Sequence, residues 1–301
     1  MSADSELKAA YAKLQAMQPD VFWGQHYQKQ KAAGLLLEID FPIKPKSRNM
    51  LLTSPHMQRL RDQFAARRDE FRAVLEGFSR AYITDLLSIA HEADENSPEP
   101  RWMQQWLPGL DGAALYAFTA QRNPAIFLEV GSGNSTKFVR RAIKDHNLRT
   151  KIISIDPYPR AEVDTICDEV IRVPFEDVDL SITDRLTADD IVFIDNSHRS
   201  FSNSDVTVFF MEMQGRLPKG CLYGIHDIFL PYDYPEGWSD RFYQEQYLLA
   251  SYLFGGADGD TVVLPAGWVS REPDVLSGLQ LLWKALPQGR DHGGAFWMLR
   301  G

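Results

Sequence analysis

From residue 124 onward the chain alternates short apolar runs with helical stretches, and this alternation constrains its fold more than any other feature. The runs are "AIFLEV" (125–130), "KIISID" (151–156), "EVIRVP" (169–174), "DIVFID" (190–195) and "CLYGIHD" (221–227), followed by "TVVLPAGWV" (261–269) and "AFWMLR" (295–300). Runs apolar on both faces and separated by crossover-length segments are what a parallel sheet requires. The last two lie close enough to the C-terminus to close the sheet as an antiparallel pair. Seven strands are therefore predicted in an α/β architecture.

Upstream the texture is helical. Ser54 and Pro55 form a helix start, and Met57, Leu60, Phe64, Phe71, Val74, Leu75, Phe78, Tyr82, Leu86 and Ile89 recur at steps of three and four, predicting helix from Ser54 to about Ala93. "HEADENSPEP" (91–100) reads as a linker. Beyond it Trp102 and Trp106 precede a helix that Asp111 is placed to cap. The first 53 residues offer a short helix, Glu6 to Met17. The expected division is an N-terminal helical extension over 1–100 and a sheet domain over 101–301.

Composition bears on partners. The 301-residue chain carries a formal net charge of −9, which opposes a role in gripping phosphate backbones, since such affinity rests on clustered Lys and Arg. No nucleic-acid and no membrane partner is expected; a small-molecule acceptor is, a small exposed peptide stays open, and so does a homo-oligomer. Cys167 and Cys221 form no disulfide framework or metal knuckle, and both read as buried apolar residues. With no signal-peptide pattern and no long apolar span, the expected compartment is cytoplasmic.

The first strand stops at Glu129 and Val130, and the chain then runs Gly131, Ser132, Gly133, Asn134, Ser135, Thr136 into a helix. Two glycines there allow a tight turn and close approach of a ligand to backbone amides. A dinucleotide site asks for a third glycine where this chain has Thr136. The second strand ends at Asp156, placed to accept hydrogen bonds from both ribose hydroxyls of a nucleoside. A carboxylate at Glu129 repels pyrophosphate and suits a ligand with ammonium and sulfonium charges.

Glu129-x-Gly131-x-Gly133 after one strand, Asp156 after the next, and seven strands ending in an antiparallel pair resemble the class I S-adenosylmethionine-dependent methyltransferases over about residues 110–301. The resemblance implies a Rossmann-like seven-stranded sheet of order 3-2-1-4-5-7-6, with S-adenosylmethionine as cofactor. It places the amino-acid part of the cofactor along Glu129, Gly131, Ser132, Gly133 and Ser135, the ribose on Asp156, and the adenine near Phe175, Glu176 and Asp177.

Two further strand ends carry polar clusters: Asp195, Asn196, Ser197 and His198 after the fourth, and His226, Asp227 and Asp233 after the fifth. Asp-x-x-His followed by His-Asp resembles a bacterial small-molecule subgroup of that family, with Asn196 where glycine is usual. Three readings stand side by side. His226 or His198 acts as a general base, with Asp195 in the catalytic set. Alternatively, Asp195, Asp227 and His226 hold a divalent metal, as two strand-end acids do in catechol-type enzymes. Those enzymes add a third oxygen ligand where this chain has Ile228, so histidine would favour a transition metal. In the third, Asp195 and its neighbours satisfy loop backbones or tether the cofactor's methionine part. The segment after the fifth strand brings Phe229, Tyr232, Tyr234 and Trp238 towards the same crevice, and with Asp227, Trp102 and Trp106 these are the candidate acceptor-binding residues. The expected reaction is methyl transfer to oxygen or nitrogen of a small organic molecule. The rivals are a nicotinamide-dependent oxidoreductase or epimerase, and a cofactor-binding protein without turnover.

Overall fold

The apolar runs become seven short strands: β1 (Ile126–Val130), β2 (Lys151–Ile155), β3 (Glu169–Ile171), β4 (Ile191–Ile194), β5 (Leu222–Ile225), β6 (Thr261–Pro265) and β7 (Phe296–Leu299). In the computed structural model they form one Rossmann-like sheet of order β3-β2-β1-β4-β5-β7-β6, with β7 antiparallel to its neighbours. Residues 25–36, 39–94, 96–159 and 163–301 are described; the expected helix from Glu6 to Met17 lies outside them. β1 and β4 are central and nearly wholly buried, as strands covered on both faces must be.

The register decides what the sheet can do. Val130 pairs with Ile155 on one side and Ile194 on the other, and Ile194 pairs with Ile225. The next residue on each strand is therefore Gly131, Asp156, Asp195 or His226. Four residues distant in sequence end in one row at the carboxyl edge, where open parallel sheets bind ligands.

The chain divides between Pro45 and Lys46, not at residue 100. Before that division lies helix α1 (Gln25–Ala32). The expected long helix is α2 (Pro55–Ala66) and α3 (Arg68–Ser88), interrupted at Arg67 and ending before Ala93. Ser54 caps α2 as expected, its hydroxyl accepting from the Met57 amide. The division falls early because the apolar stripe of these helices belongs to the sheet's own core. Phe64 and Phe71 each stand 5.8 Å from Trp268, and Phe78 stands 4.9 Å from Phe118. Each such side chain is worth about 1.5–3 kcal/mol when buried, so the stripe has no stable existence away from the sheet. Helix α4 (Gly109–Arg122) precedes β1, α5 (Asn134–His146) follows the glycine turn, and α6 (Glu245–Phe254) follows the aromatic loop after β5. Cys221 is buried and Cys167 only half-buried; both are free thiols. Among the described residues no helix is long and apolar enough to cross a membrane.

Candidate active site

Gly131 makes the turn after β1 with φ +83°, and a Cβ there would lie 1.7 Å from the Asp195 carbonyl oxygen. Only glycine permits both the left-handed backbone and so close an approach of β1 to the end of β4. Gly133 is different: its φ of 172° is extended backbone, and a Cβ there would meet nothing within 4 Å. Its value is the open face it leaves above the turn. Thr136, at the position of a third dinucleotide glycine, accepts from the Gly133 amide at 3.1 Å and donates to Glu129. The departure from the dinucleotide pattern is thus a hydroxyl that ties the turn to the acid beneath it.

Glu129 is fully buried and keeps one carboxylate oxygen without a hydrogen-bond partner. Burial pushes its pKa up to about 8; the Ser135 and Thr136 hydroxyls pull the other way, and Asp195 and Asp156 add to the rise. Asp156 accepts from the Ser132 amide at 2.8 Å and from the Tyr158 amide at 2.8 Å. The ends of β1 and β2 are joined through this carboxylate. Glu176 lies half-buried on a 3-10 turn, Phe175–Asp177, beyond β3.

The strand-four and strand-five clusters meet. His226 turns Nδ1 to Asp195 at 3.2 Å and to Asp227 at 3.6 Å, and Nε2 to Asp111 at 3.2 Å. His198 turns Nε2 to Asp195 at 3.4 Å and to Asp227 at 3.5 Å, and Nδ1 to Glu245 at 2.8 Å. Burial alone would lower both imidazole pKa values, yet the surrounding carboxylates, Asp195 prominent in each case, hold them well above the ordinary histidine value. Burial would raise the Asp195 carboxyl, but His226 and His198 keep it far below the usual range. Asp111 and Glu245 are fully buried. Sequence reading missed both in this role. Asp111 sits in the first turn of α4 rather than capping it, and accepts from the Gly294 and Ala295 amides as well. An acid at the start of α6 was the one available signal for Glu245.

The aromatic residues fall into four different settings. Phe229, Trp238 and Tyr234 are joined by Tyr243, also unforeseen, in a chain of tilted and edge contacts that ends 4.7 Å from His198. Arg241 stacks on Trp238 at 4.0 Å. Tyr232 instead lies under the Arg271 guanidinium at 3.9 Å, in a groove of about 500 Å³ that includes Tyr234, Arg48 and Met50. Trp102 is a core residue: 1% exposed, 5.0 Å from Phe138, its indole N–H donating to the Leu86 carbonyl. It does not face an acceptor, because its ring fills the space under α5. Trp106 is 55% exposed, and its amide donates to Gln104, whose side chain also holds Asn134 beside the glycine turn.

Residues 128–228, from β1 to just past β5, match the model of a family described as "Methyltransferase domain". No curated protein matches the chain. A solved structure, the SAH-bound methyltransferase PaMTH1 of Podospora anserina, is 14% identical over 88% of this chain and 100% of its own, with a TM-score of 0.39. Residues 128–228 thus carry the match to a methyltransferase domain, and the sheet order is the one the sequence resemblance leads to expect.

Proposed function

We propose that the chain methylates oxygen or nitrogen of a small organic acceptor at the carboxyl edge of β1, β4 and β5. The observation that carries this reading is the row formed by Gly131, Asp156, Asp195 and His226, with the buried Glu129 carrying an unpartnered oxygen under the turn. S-adenosylmethionine, when bound, supplies a methyl group on a sulfonium. Glu129 fits its ammonium, since an orphaned buried oxygen costs about 1–3 kcal/mol until a donor reaches it. Asp156 fits the ribose hydroxyls once its carboxylate turns from Ser132.

The acceptor side is argued from exposure. The side chains of Asp195 and Asp227 are 29% and 14% exposed, those of His198 and His226 only 5% and 2%. An acceptor meets the two acids first, and they orient it by accepting its hydrogen bonds. Each imidazole has both nitrogens against carboxylates, which suits it to hold the acids in place rather than to take a proton itself. A divalent cation is the second reading, favoured by the convergence of Asp195, His198 and His226 ligand atoms within 4.8 Å of one another. The wall formed by Phe229, Trp238 and Tyr243 suits an organic ring.

Calorimetry with S-adenosylhomocysteine tests the cofactor half. Tight binding to the intact chain is expected, and Asp156→Ala should weaken it by about 1–3 kcal/mol, the size for hydrogen bonds to a charged group. Undiminished affinity in the variant would remove Asp156 from the site. Consumption of S-adenosylmethionine across a panel of phenols, hydroxy acids and amines then identifies the acceptor class.

A further inference from the structure

We infer that Arg199 and Arg241 form a binding site for the carboxylate of an aromatic ligand whose other end reaches Asp195 and Asp227. The two arginines come from different loops and meet on one ring. Arg199 follows His198 directly, and its guanidinium carbon lies 5.4 Å from the Tyr243 ring centre. That of Arg241 lies 5.7 Å from the same ring and 4.0 Å from Trp238. Arg199 Nε donates to the Arg241 carbonyl at 3.1 Å and Nη1 to the Ser197 carbonyl at 3.3 Å, which ties the loop after β4 to the segment after β5. Tyr243 in turn stands 4.7 Å from His198. One ring therefore separates the guanidinium groups from the imidazole that contacts both acids.

What these arginines lack is an anion. Arg68, Arg140, Arg141, Arg172, Arg185 and Arg300 all pair with carboxylates. Among the described residues Arg199 and Arg241 do not: Arg199 donates to two carbonyls, and Arg241 rests on ring faces alone. Both residues are half-buried, so an anion would meet them partly out of water, where charge-assisted hydrogen bonds gain strength. Ser200, next in the chain, adds a buried hydroxyl without a hydrogen-bond partner, while its amide donates to Gln244 beside Tyr243. A carboxylate brings a single charge and matches the guanidinium fork. A doubly charged phosphate would be repelled more strongly by Asp195 and Asp227. Between arginines and acids stand Trp238, Phe229 and Tyr243, so the part of the ligand that joins its two ends is an aromatic ring. That this ligand is the methyl acceptor rests on the methyltransferase reading; the anion site itself does not.

The full chain, with and without S-adenosylhomocysteine, should be titrated calorimetrically with matched probes: meta-hydroxybenzoate against meta-hydroxybenzamide, and para-aminobenzoate against para-aminobenzamide. Each carboxylate should bind at least about 10-fold more tightly than its amide, the size of a hydrogen bond between charged groups. Arg241→Gln should erase most of that preference by weakening the carboxylates and leaving the amides nearly unchanged. Arg241 makes no side-chain hydrogen bond among the described residues, so this variant should fold, as circular dichroism would verify. Arg241→Lys keeps the charge without the fork and should fall between. Arg199→Gln should reduce the preference as well. A loss shared equally by carboxylate and amide in both glutamine variants would mean that the arginines only shape the loop, and would overturn the proposal. Equal affinity of carboxylate and amide for the wild-type chain would also overturn it, as would no measurable binding of either carboxylate. The cofactor titration separates the two readings. A carboxylate preference without S-adenosylhomocysteine binding would keep the anion site and sink the acceptor role, and cofactor binding without the preference would do the reverse.

Discussion

Glu129 is the residue whose state depends most on what lies over it. Burial holds its pKa near 8 and leaves one oxygen unpartnered. A cationic ligand must therefore meet a carboxyl that is mostly protonated at neutral pH, and binding should expel that proton. At pH 7 a group titrating near 8 is about 90% protonated, so close to one proton should be released per S-adenosylmethionine bound. Calorimetry in two buffers of different ionisation enthalpy measures it, and release near zero in the wild type would break the pairing of Glu129 with the cofactor's ammonium. Affinity should rise with pH up to about 8 and then level. The free protein runs the other way: a carboxyl raised above its unfolded value loses stability as pH climbs from about 4.5 through 8. Glu129→Gln should abolish both trends.

At the scale of elements, the glycine turn was legible because its chemistry is local. An acid, two glycines and a helix start follow one another within eight residues of sequence, Glu129 to Thr136. What sequence did not reveal is that the two glycines do different things. Gly131→Ala would place a methyl group against the Asp195 carbonyl and force a left-handed residue, so a stability loss of at least about 2 kcal/mol is expected, from backbone strain alone 1–3. Gly133→Ala has extended backbone and free space, so urea unfolding should find it within about 0.5 kcal/mol of wild type, while cofactor affinity falls. Equal destabilisation by both would refute this division. The strands were legible for the same local reason, each being a short apolar run between breakers. Helix ends were not: the periodic pattern leads to one helix as far as about Ala93, yet α3 stops at Ser88 and Arg67 separates it from α2.

At the scale of the whole molecule, the sheet register gathers what sequence leaves scattered. Asp195, His198, His226 and Asp227 announce themselves as strand-end residues, but their buried partners do not. Asp111 and His226 are 115 positions apart, and Glu245 and His198 are 47 apart; pairings at such separations follow from the fold, not from spacing. Trp102 failed as an acceptor residue for the converse reason, since a tryptophan before the first strand looks the same in sequence whether it lines a crevice or fills a core. Asp111 is where this long-range order is most concentrated. Its carboxylate joins α4 to His226 beyond β5 and to the Gly294 and Ala295 amides that lead into β7. Asp111→Ala leaves two buried amides and a buried imidazole without their acceptor, and breaking a buried charged pair costs about 3–5 kcal/mol. Asp111→Asn keeps one acceptor oxygen and should cost less, about 1–3 kcal/mol. Chemical denaturation of both variants checks the order, and a loss below about 1 kcal/mol for Asp111→Ala would mean that the C-terminal strand and the β5 histidine are held without it.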